Sequence, residues 1–336
     1  DDAPFNGLPA GRWLERDGFR ACYVAGPAEL ARVASEVRYD AIYLNSFFSA
    51  FAVRALLLRR LGRLRRVPVV LAPRGELSAG ALTLKPVKKR AFLAFARWTG
   101  LYRGVIWQAS SDAERDEIAT HTGGGARVVP NVPATARPTD GAALPGKRPG
   151  EARFVFLSRI ARKKNLHFAL ELLGRVEGDV RFDVYGPLED AAYVERCRGL
   201  IDGLPAGVEV RLLGPVPPER VRTALSSSQF FLFPTLNENF GHAILEALAA
   251  GLPVITSDQT FWRGLEARHA GWDLPLDRAD AFARVLAECV AMDAATYAAR
   301  SAAARRLAAA YLDSSLAVDA TRALLADACA PRDAAG

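Results

Sequence analysis

The sequence predicts an α/β protein of two domains, each organised around a parallel sheet. Three observations predict it. Short β-branched and aromatic runs alternate with longer amphipathic stretches along most of the 336 residues, the pattern of βαβ units whose strands are covered on both faces. The alternation breaks once, across Val132–Ala152, where Pro and Gly are too frequent for a helix or a central strand. The charge changes sign at the same place: residues 1–150 hold 23 Lys/Arg against 13 Asp/Glu, and the remainder 21 against 24.

In the first domain, 1–131, the runs Phe19–Val24, Ala41–Leu44, Val67–Ala72, Val105–Ala109 and Arg127–Pro130 read as strands. Pro27–Val37, Phe48–Leu61, Val87–Trp98 and Asp112–His121 carry apolar residues at helical spacing. Gly123–Gly125 lies between a helix and a strand and reads as a helix stop rather than a phosphate cradle. Residues 132–152 form the expected linker. In the second domain, 153–310, the strand-like runs are Arg153–Ser158, Val180–Tyr185, Val208–Leu213, Phe230–Pro234 and Leu252–Thr256, with helical patterns at Leu166–Val176 and His242–Ala250. Ala-rich helices follow Ala294, and a last helix within 311–336 is expected to pack back on the N-terminal domain.

Several classes are excluded by what is missing. The four cysteines lie far apart without zinc spacing, which argues against a disulfide framework or a zinc module and for a reducing, cytoplasmic setting. No apolar run reaches the length of a membrane span. The four histidines are scattered, no two aspartates stand two positions apart, and neither G-x-x-x-x-G-K-[ST] nor G-x-G-x-x-G occurs. No metal site and no cofactor are expected.

The strongest positive signal is Phe230–Asp258. A buried strand runs to Pro234, a polar loop follows, and a helix opens near Gly241, so the loop stands at a strand's carboxyl end, where open α/β sheets bind ligands. Amides of Phe240, Gly241 and His242 at that helix N-terminus suit phosphate oxygens. Glu246 stands alone among alanines and leucines of the helix, where an unbonded carboxylate costs several kcal/mol. It pairs either with His242, four residues back, or with hydroxyls of a ligand that Glu238 also faces. A second signal is Ser158–Asn165: Asn165 is placed to cap the next helix, and Arg159 and Lys164 flank its N-terminus as a planar fork and a point charge suited to a diphosphate, unless they form a solvated basic loop.

Together, Glu238 to Glu246 (E-x₇-E), Ala247–Val254 (A-x-x-A-G-x-P-V) and Ser158–Lys164 (S-R-x₄-K) resemble the retaining glycosyltransferases of family 4, which have the GT-B fold. Ala72–Lys89 and Ala109–Ile118 look like their bacterial polysaccharide-assembly members. The resemblance implies two Rossmann-like doubly wound domains facing a cleft. It implies that Glu238 binds hydroxyls of the donor sugar, Glu246 the nucleotide ribose, and Arg159 and Lys164 the diphosphate, with the Phe240–His242 amides completing its shell. Gly186 and the Gly214–Val216 turn would line the base. The reaction implied moves a sugar from a nucleoside diphosphate sugar to a hydroxyl of a glycan or lipid-linked acceptor, without a metal and with retention of configuration.

Two departures qualify that resemblance. Where many members carry a His after the third strand, this chain has Pro73–Arg74–Gly75–Glu76. Arg74 is then a contact for donor phosphate or acceptor and Glu76 a candidate base, or the two form an ion pair that shapes the loop. The opening strand and Gly-rich loop of the family have no counterpart in Asp1–Gly18. The N-terminal domain is therefore expected to lack its opening strand, and a nucleotide-sugar-binding remnant without transfer activity is the alternative function.

Between Arg54 and Arg103 stand 13 Lys/Arg and one acidic residue, Glu76. The Val53–Leu57–Leu61–Leu64 stripe reads as core packing. The cations form either a solvated face or a patch for an anionic membrane, which would place the protein peripherally on the inner face of the cytoplasmic membrane. No nucleic-acid-binding signature accompanies them.

Overall fold

The computed structural model describes residues 10–16, 18–82, 86–132 and 145–330. The chain forms two units: one from the segment up to Asn131 together with the stretch from Leu316, the other from Val132 to Ser315.

The first unit opens on a hairpin that the alternation did not predict. β1 (Trp13–Arg16) and β2 (Phe19–Cys22) pair antiparallel in a sheet of their own. Phe19–Val24, expected as a parallel strand, is thus one arm of a hairpin. The cause lies in the turn: Arg16 pairs with Phe19, and Gly18 between them sits at φ +82°, the left-handed geometry that tight hairpin turns need. Of the opening stretch read as lacking a strand and Gly-rich loop, residues 1–9 and 17 lie outside the described residues.

Then follow α1 (Leu30–Ser35), β3 (Ile42–Leu44), α2 (Ala50–Arg60), β4 (Val69–Leu71), α3 (Ala79–Leu82), α4 (Pro86–Thr99), β5 (Val105–Ala109), α5 (Asp112–Thr122) and β6 (Ala126–Val128). The sheet runs β3-β4-β5-β6, all parallel. Ser49 caps α2 by accepting from the Ala52 amide at 3.1 Å, and Ser111 caps α5 through Glu114 at 3.2 Å. Gly123 ends α5 at φ +71°, the helix stop that the glycine run suggested. The expected stripe on α2 divides: Leu64 is buried, whereas Leu57 and Leu61 are exposed and Ala52, Ala55, Leu56 and Leu58 face inward. A helix apolar on more than one face can bury either, and its small alanines let this one lie close to the sheet.

In the second unit the order is β7 (Glu151–Leu157), α6 (Leu166–Leu173), β8 (Asp179–Tyr185), α7 (Ala191–Asp202), β9 (Val208–Gly214), α8 (Pro218–Ser226), β10 (Phe230–Phe233), α9 (His242–Ala250), β11 (Val254–Ser257), β12 (Gly271–Leu274), α10 (Ala279–Ala291) and α11 (Ala294–Asp313). Its six strands are parallel in the order β12-β11-β10-β7-β8-β9. The direction of winding therefore reverses between β7 and β10, and the crevice outside that switch point is where such sheets hold ligands. Fully buried Phe154, Phe156, Phe182, Phe230, Phe231 and Phe233 fill the core. β12 escaped the sequence reading because it is short and opens on a glycine. A Cβ at Gly271 would stand 2.0 Å from the Val254 carbonyl oxygen, so no other residue fits that close strand approach.

Most of the expected linker, residues 133–144, lies outside the described residues. Its end is already structure: Glu151 and Ala152 belong to β7, and the buried Lys147 ammonium donates to the carbonyls of Arg148, Val290 and Met292 at 2.6–3.0 Å. The last helix, α12 (Leu316–Cys329), belongs to the first unit, where Leu324 and Ala328 are buried with Val70 and Val129. Leu324→Ala is expected to cost that unit about 2–4 kcal/mol. Urea unfolding followed by circular dichroism measures it, and an unshifted first transition refutes the docking.

Candidate functional site

β7 and β10 lie side by side, and the loops that leave them are stitched together. The Leu236 amide donates to the Lys163 carbonyl at 3.0 Å, and the Thr235 hydroxyl to the same carbonyl at 3.1 Å. Asn165 takes the helix N-cap position but does not cap with its side chain, contrary to expectation. Its amide instead donates to the Pro234 carbonyl at 2.9 Å, and at φ +60° its backbone turns left-handed to allow this. On the far side the Ser257 hydroxyl donates to the Thr235 carbonyl at 2.5 Å and the Glu238 amide to Gln259 at 2.9 Å. Loop 235–241 is thus tied to both neighbouring strands.

This fixed loop presents Glu238 to Lys164, and the two form an ion pair from either side of the switch point. Lys164 is only 9% exposed, and its ammonium stands 5.5 Å from the Phe233 ring centroid. Removing one partner from a pair this desolvated costs about 3–5 kcal/mol. Arg159 is different. It is exposed and reaches both oxygens of Glu189 at 3.2 Å, a surface pair worth about 0–1 kcal/mol.

Beyond Glu238 the chain turns at Gly241, φ +78°, into α9. A Cβ there would stand 2.9 Å from Ile244 and 3.2 Å from Glu238, so glycine is required both by conformation and by space. Ile244 and Leu245 amides close on the Gly241 carbonyl, and the Phe240, Gly241 and Ala243 amides donate to no group among the described residues. Phe240 is buried, its ring 5.4 to 5.9 Å from those of Phe261, Trp262 and Tyr311. That cluster fixes the angle at which the helix N-terminus is presented.

One turn further, Glu246 is partly buried and its carboxylate makes no hydrogen bond or ion pair among the described residues. The local pair with His242 is therefore not formed. Burial alone raises its carboxyl above the usual carboxylate range.

A cavity of about 400 Å³ at the carboxyl ends of β7, β8, β9 and β10 gathers Arg159, Gly186, Val216, Glu238, Gly241, His242 and Glu246. Three of the expected residues do not line it. Lys164 is held against Glu238 by their ion pair, Phe240 is buried in its aromatic cluster, and Gly214 instead accepts the Gly186 amide at 2.8 Å. Gly186 sits so close to the neighbouring strand end that a Cβ would overlap the Ser158 carbonyl oxygen at 1.8 Å. Pro215, within the expected Gly214–Val216 turn, and Pro187 and Val221, which the sequence reading passed over, complete an apolar wall. Their signal was position alone, directly after a strand end or on the helix facing it.

Arg74 and Glu76 lie in the first unit and are not paired with each other. Arg74 donates to Asn45 at 3.0 and 3.1 Å and to the Tyr43 hydroxyl at 2.9 Å, from a strained backbone at φ +56°. Glu76 accepts from the Ser46 hydroxyl and from the Phe47 and Phe48 amides at 2.5–3.0 Å, so it closes a loop rather than standing ready as a base. Glu114, unremarked in the sequence, is buried and accepts from Gly75, Ser110 N and Ser110 Oγ at 2.5–2.7 Å.

Residues 143–306 match the family described as Glycosyl transferases group 1. The chain is 28% identical over 155 residues to the putative colanic acid biosynthesis glycosyltransferase WcaL of Salmonella typhimurium, covering 44% of this chain and 38% of that protein. It is 30% identical over 146 residues to the amylovoran biosynthesis glycosyltransferase AmsK of Erwinia amylovora, covering 40% and 35%. Each match spans little more than a third of the relative. Among solved structures, Anabaena HepE in complex with UDP and glucose aligns over 90% of this chain and 80% of its own, with TM-score 0.65 and 18% identity. At that identity the likeness carries the fold, which is GT-B.

The Glu246 carboxyl supplies a test of the geometry. A carboxyl raised in the folded state stabilises fully below its ordinary range, and that stability is lost as pH rises through the folded value. Glu246→Gln should therefore raise the melting temperature of the unliganded protein at about pH 8, with the gain shrinking toward about pH 4. Calorimetry across pH decides it, and a gain independent of pH refutes the assignment.

Proposed function

Because the chain belongs to the group 1 glycosyl transferases through residues 143–306, we propose that it transfers a sugar from a nucleoside diphosphate sugar to an acceptor hydroxyl with retention of configuration. The observation that carries this reading is the cavity at the switch point, where Arg159, Glu238, Glu246 and the start of α9 converge. The half-buried Glu246, its side chain unbonded among the described residues, accepts the ribose hydroxyls, and Glu238 those of the donor sugar. The apolar wall of Val216, Pro215 and Val221 suits the face of a base. HepE was solved with UDP and glucose, which supports a donor of that class here.

The cations divide the work. Lys164, held by Glu238, has three donors and keeps further bonds to offer a phosphate oxygen without leaving its partner. Arg159 can leave Glu189 at little cost, so it closes on the diphosphate as the donor arrives. With the α9 amides they neutralise the leaving diphosphate as charge develops, a role that needs no metal in this reading. In the first unit Arg74, rather than Glu76, is the group offered to phosphate or acceptor. Acceptance of the hydroxyl's proton falls to the departing phosphate. The names of WcaL and AmsK support a place in polysaccharide assembly, with a glycan or lipid-linked acceptor.

A thermal-shift screen against nucleoside diphosphates and their sugars identifies the donor, since a ligand that binds the folded chain raises its melting temperature. With that donor, Lys164→Ala is expected to lower kcat about 10²–10³-fold. Glu246→Ala should weaken donor binding about tenfold or more. Product stereochemistry by NMR tests retention. Stabilisation by the donor with no product under any acceptor would instead favour the binding-only remnant, and no stabilisation by any nucleotide would overturn both.

The basic face of the first unit supports peripheral attachment to an anionic bilayer. On α4, Val87 is 81%, Phe95 51% and Trp98 86% exposed, and Leu61 just after α2 is 71% exposed, all interleaved with Lys88, Lys89, Arg90 and Arg97. An aromatic and aliphatic edge rimmed by cations matches the interface of an anionic membrane. The chain should float with vesicles containing phosphatidylglycerol and not with phosphatidylcholine alone. Trp98→Ser should reduce that binding severalfold, and flotation insensitive to lipid charge refutes the attachment.

A further inference from the structure

The first unit contains a second cavity, of about 440 Å³, at the amino ends of β5 and β6. This is the edge opposite to the strand ends that hold ligands in open α/β sheets. Its walls come from the end of α4, the turn into β5, the end of α5 and the glycine turn 123–125.

Arg97, Arg103 and His121 line this cavity, and none of their side chains makes a hydrogen bond or ion pair among the described residues. No carboxylate lines it. Arg97 and Arg103 belong to the stretch from Arg54 to Arg103 that holds 13 Lys/Arg and one acidic residue, and here His121 joins them with no counter-charge in the wall.

Trp107 supplies an independent observation. The residue is 6% exposed, its ring stacks on Phe47 with centroids 6.0 Å apart, and its indole N–H has no acceptor among the described residues. Gly124 lies over this donor: a Cβ there would stand 2.8 Å from Nε1. Glycine thus leaves the indole open to the cavity. The Gly125 amide also donates to nothing among the described residues.

We propose that this cavity binds the phosphate group of a phosphate ester. Two guanidinium forks, an imidazole, an indole N–H and a backbone amide are more donors than the two oxygens of a carboxylate can use, and they suit the several strong acceptor oxygens of a phosphate. The ester is either a soluble sugar or polyol phosphate or the headgroup of a phospholipid, and the chemistry of capture is the same for both.

The indole resonances of protein labelled with ¹⁵N-tryptophan read the site directly, with the Trp107 signal identified by Trp107→Phe. The probes are glycerol 3-phosphate and short-chain phosphatidylglycerol below its micelle concentration. At least one of them should move the Trp107 signal saturably. Arg97→Glu/Arg103→Glu should weaken that binding by about tenfold or more, and Gly124→Val should abolish it. Arg159→Ala, in the other unit, should leave it unchanged. A response to the lipid alone assigns the headgroup as source, and a response to glycerol 3-phosphate assigns a soluble ester. Both arginines are exposed, so the double variant keeps the test valid should Gly124→Val fail to fold. A Trp107 signal unmoved by either probe, or moved with unchanged affinity in the double variant, overturns the proposal.

Discussion

The ion pair between Lys164 and Glu238 is the constraint on which the candidate site rests. Each partner sits on a loop that leaves one of the two central strands, and a single 3₁₀ turn, Arg162–Lys164, is all the regular structure the two loops have. A desolvated charge on one loop is tolerable only if the other loop delivers its counter-charge to the same place. The pair therefore sets the spacing of the loops, and the backbone bonds from Lys163 and Asn165 to the 234–236 segment hold that spacing against relaxation. From this follow the position of Gly241, the direction of α9, and the depth at which Glu246 lies.

The two cations flanking the site differ by several kcal/mol in how firmly they are held, and this difference orders their roles. A buried lysine that costs about 3–5 kcal/mol to unpair is part of the frame. An exposed arginine held by about 0–1 kcal/mol is a mobile contact whose carboxylate partner serves as a resting place. The same contrast applies to the acids. Glu238 has its bond already, whereas Glu246 carries a desolvation cost that only a ligand's hydroxyls would offset. In the proposed reading the donor's hydroxyls meet the unbonded acid, so binding does not first break the frame that Glu238 and Lys164 form.

The fold was legible wherever periodicity was strong and long. Val105–Ala109 and the His242–Ala250 helix were read to the residue, because their boundaries are marked by Gly, Pro or a cap. What was missed was short or decided by tertiary choice. The Trp13–Cys22 hairpin depended on the left-handed Gly18, β12 on a backbone approach that only a glycine permits, and the face of α2 on which of two apolar stripes packed. In the site, residue type and spacing identified Arg159, Glu238 and Glu246. The partnership of Lys164 with Glu238 was invisible, since 74 positions separate them and nothing local marks a long-range pair.

The same reasoning separates Arg74 from Glu76, which the sequence offered as a couple. Two carboxylates clamp the turn that follows β4: Glu76 takes up the amides after β3, and Glu114 takes up Gly75. Carboxylates that each accept three or more hydrogen bonds are spent on holding the turn. Arg74, between these anchors, adopts a left-handed backbone that costs a non-glycine residue about 1–2 kcal/mol. Such strain persists only where the surroundings over-determine it, and here the surroundings are the two clamps. Their effect is to hold the guanidinium against the Tyr43 and Asn45 side chains, whose bonds leave donors of the five-donor fork unspent. The turn therefore presents a positive charge and keeps its carboxylates occupied, and for that reason phosphate or acceptor falls to Arg74 and not to Glu76 in the proposed function.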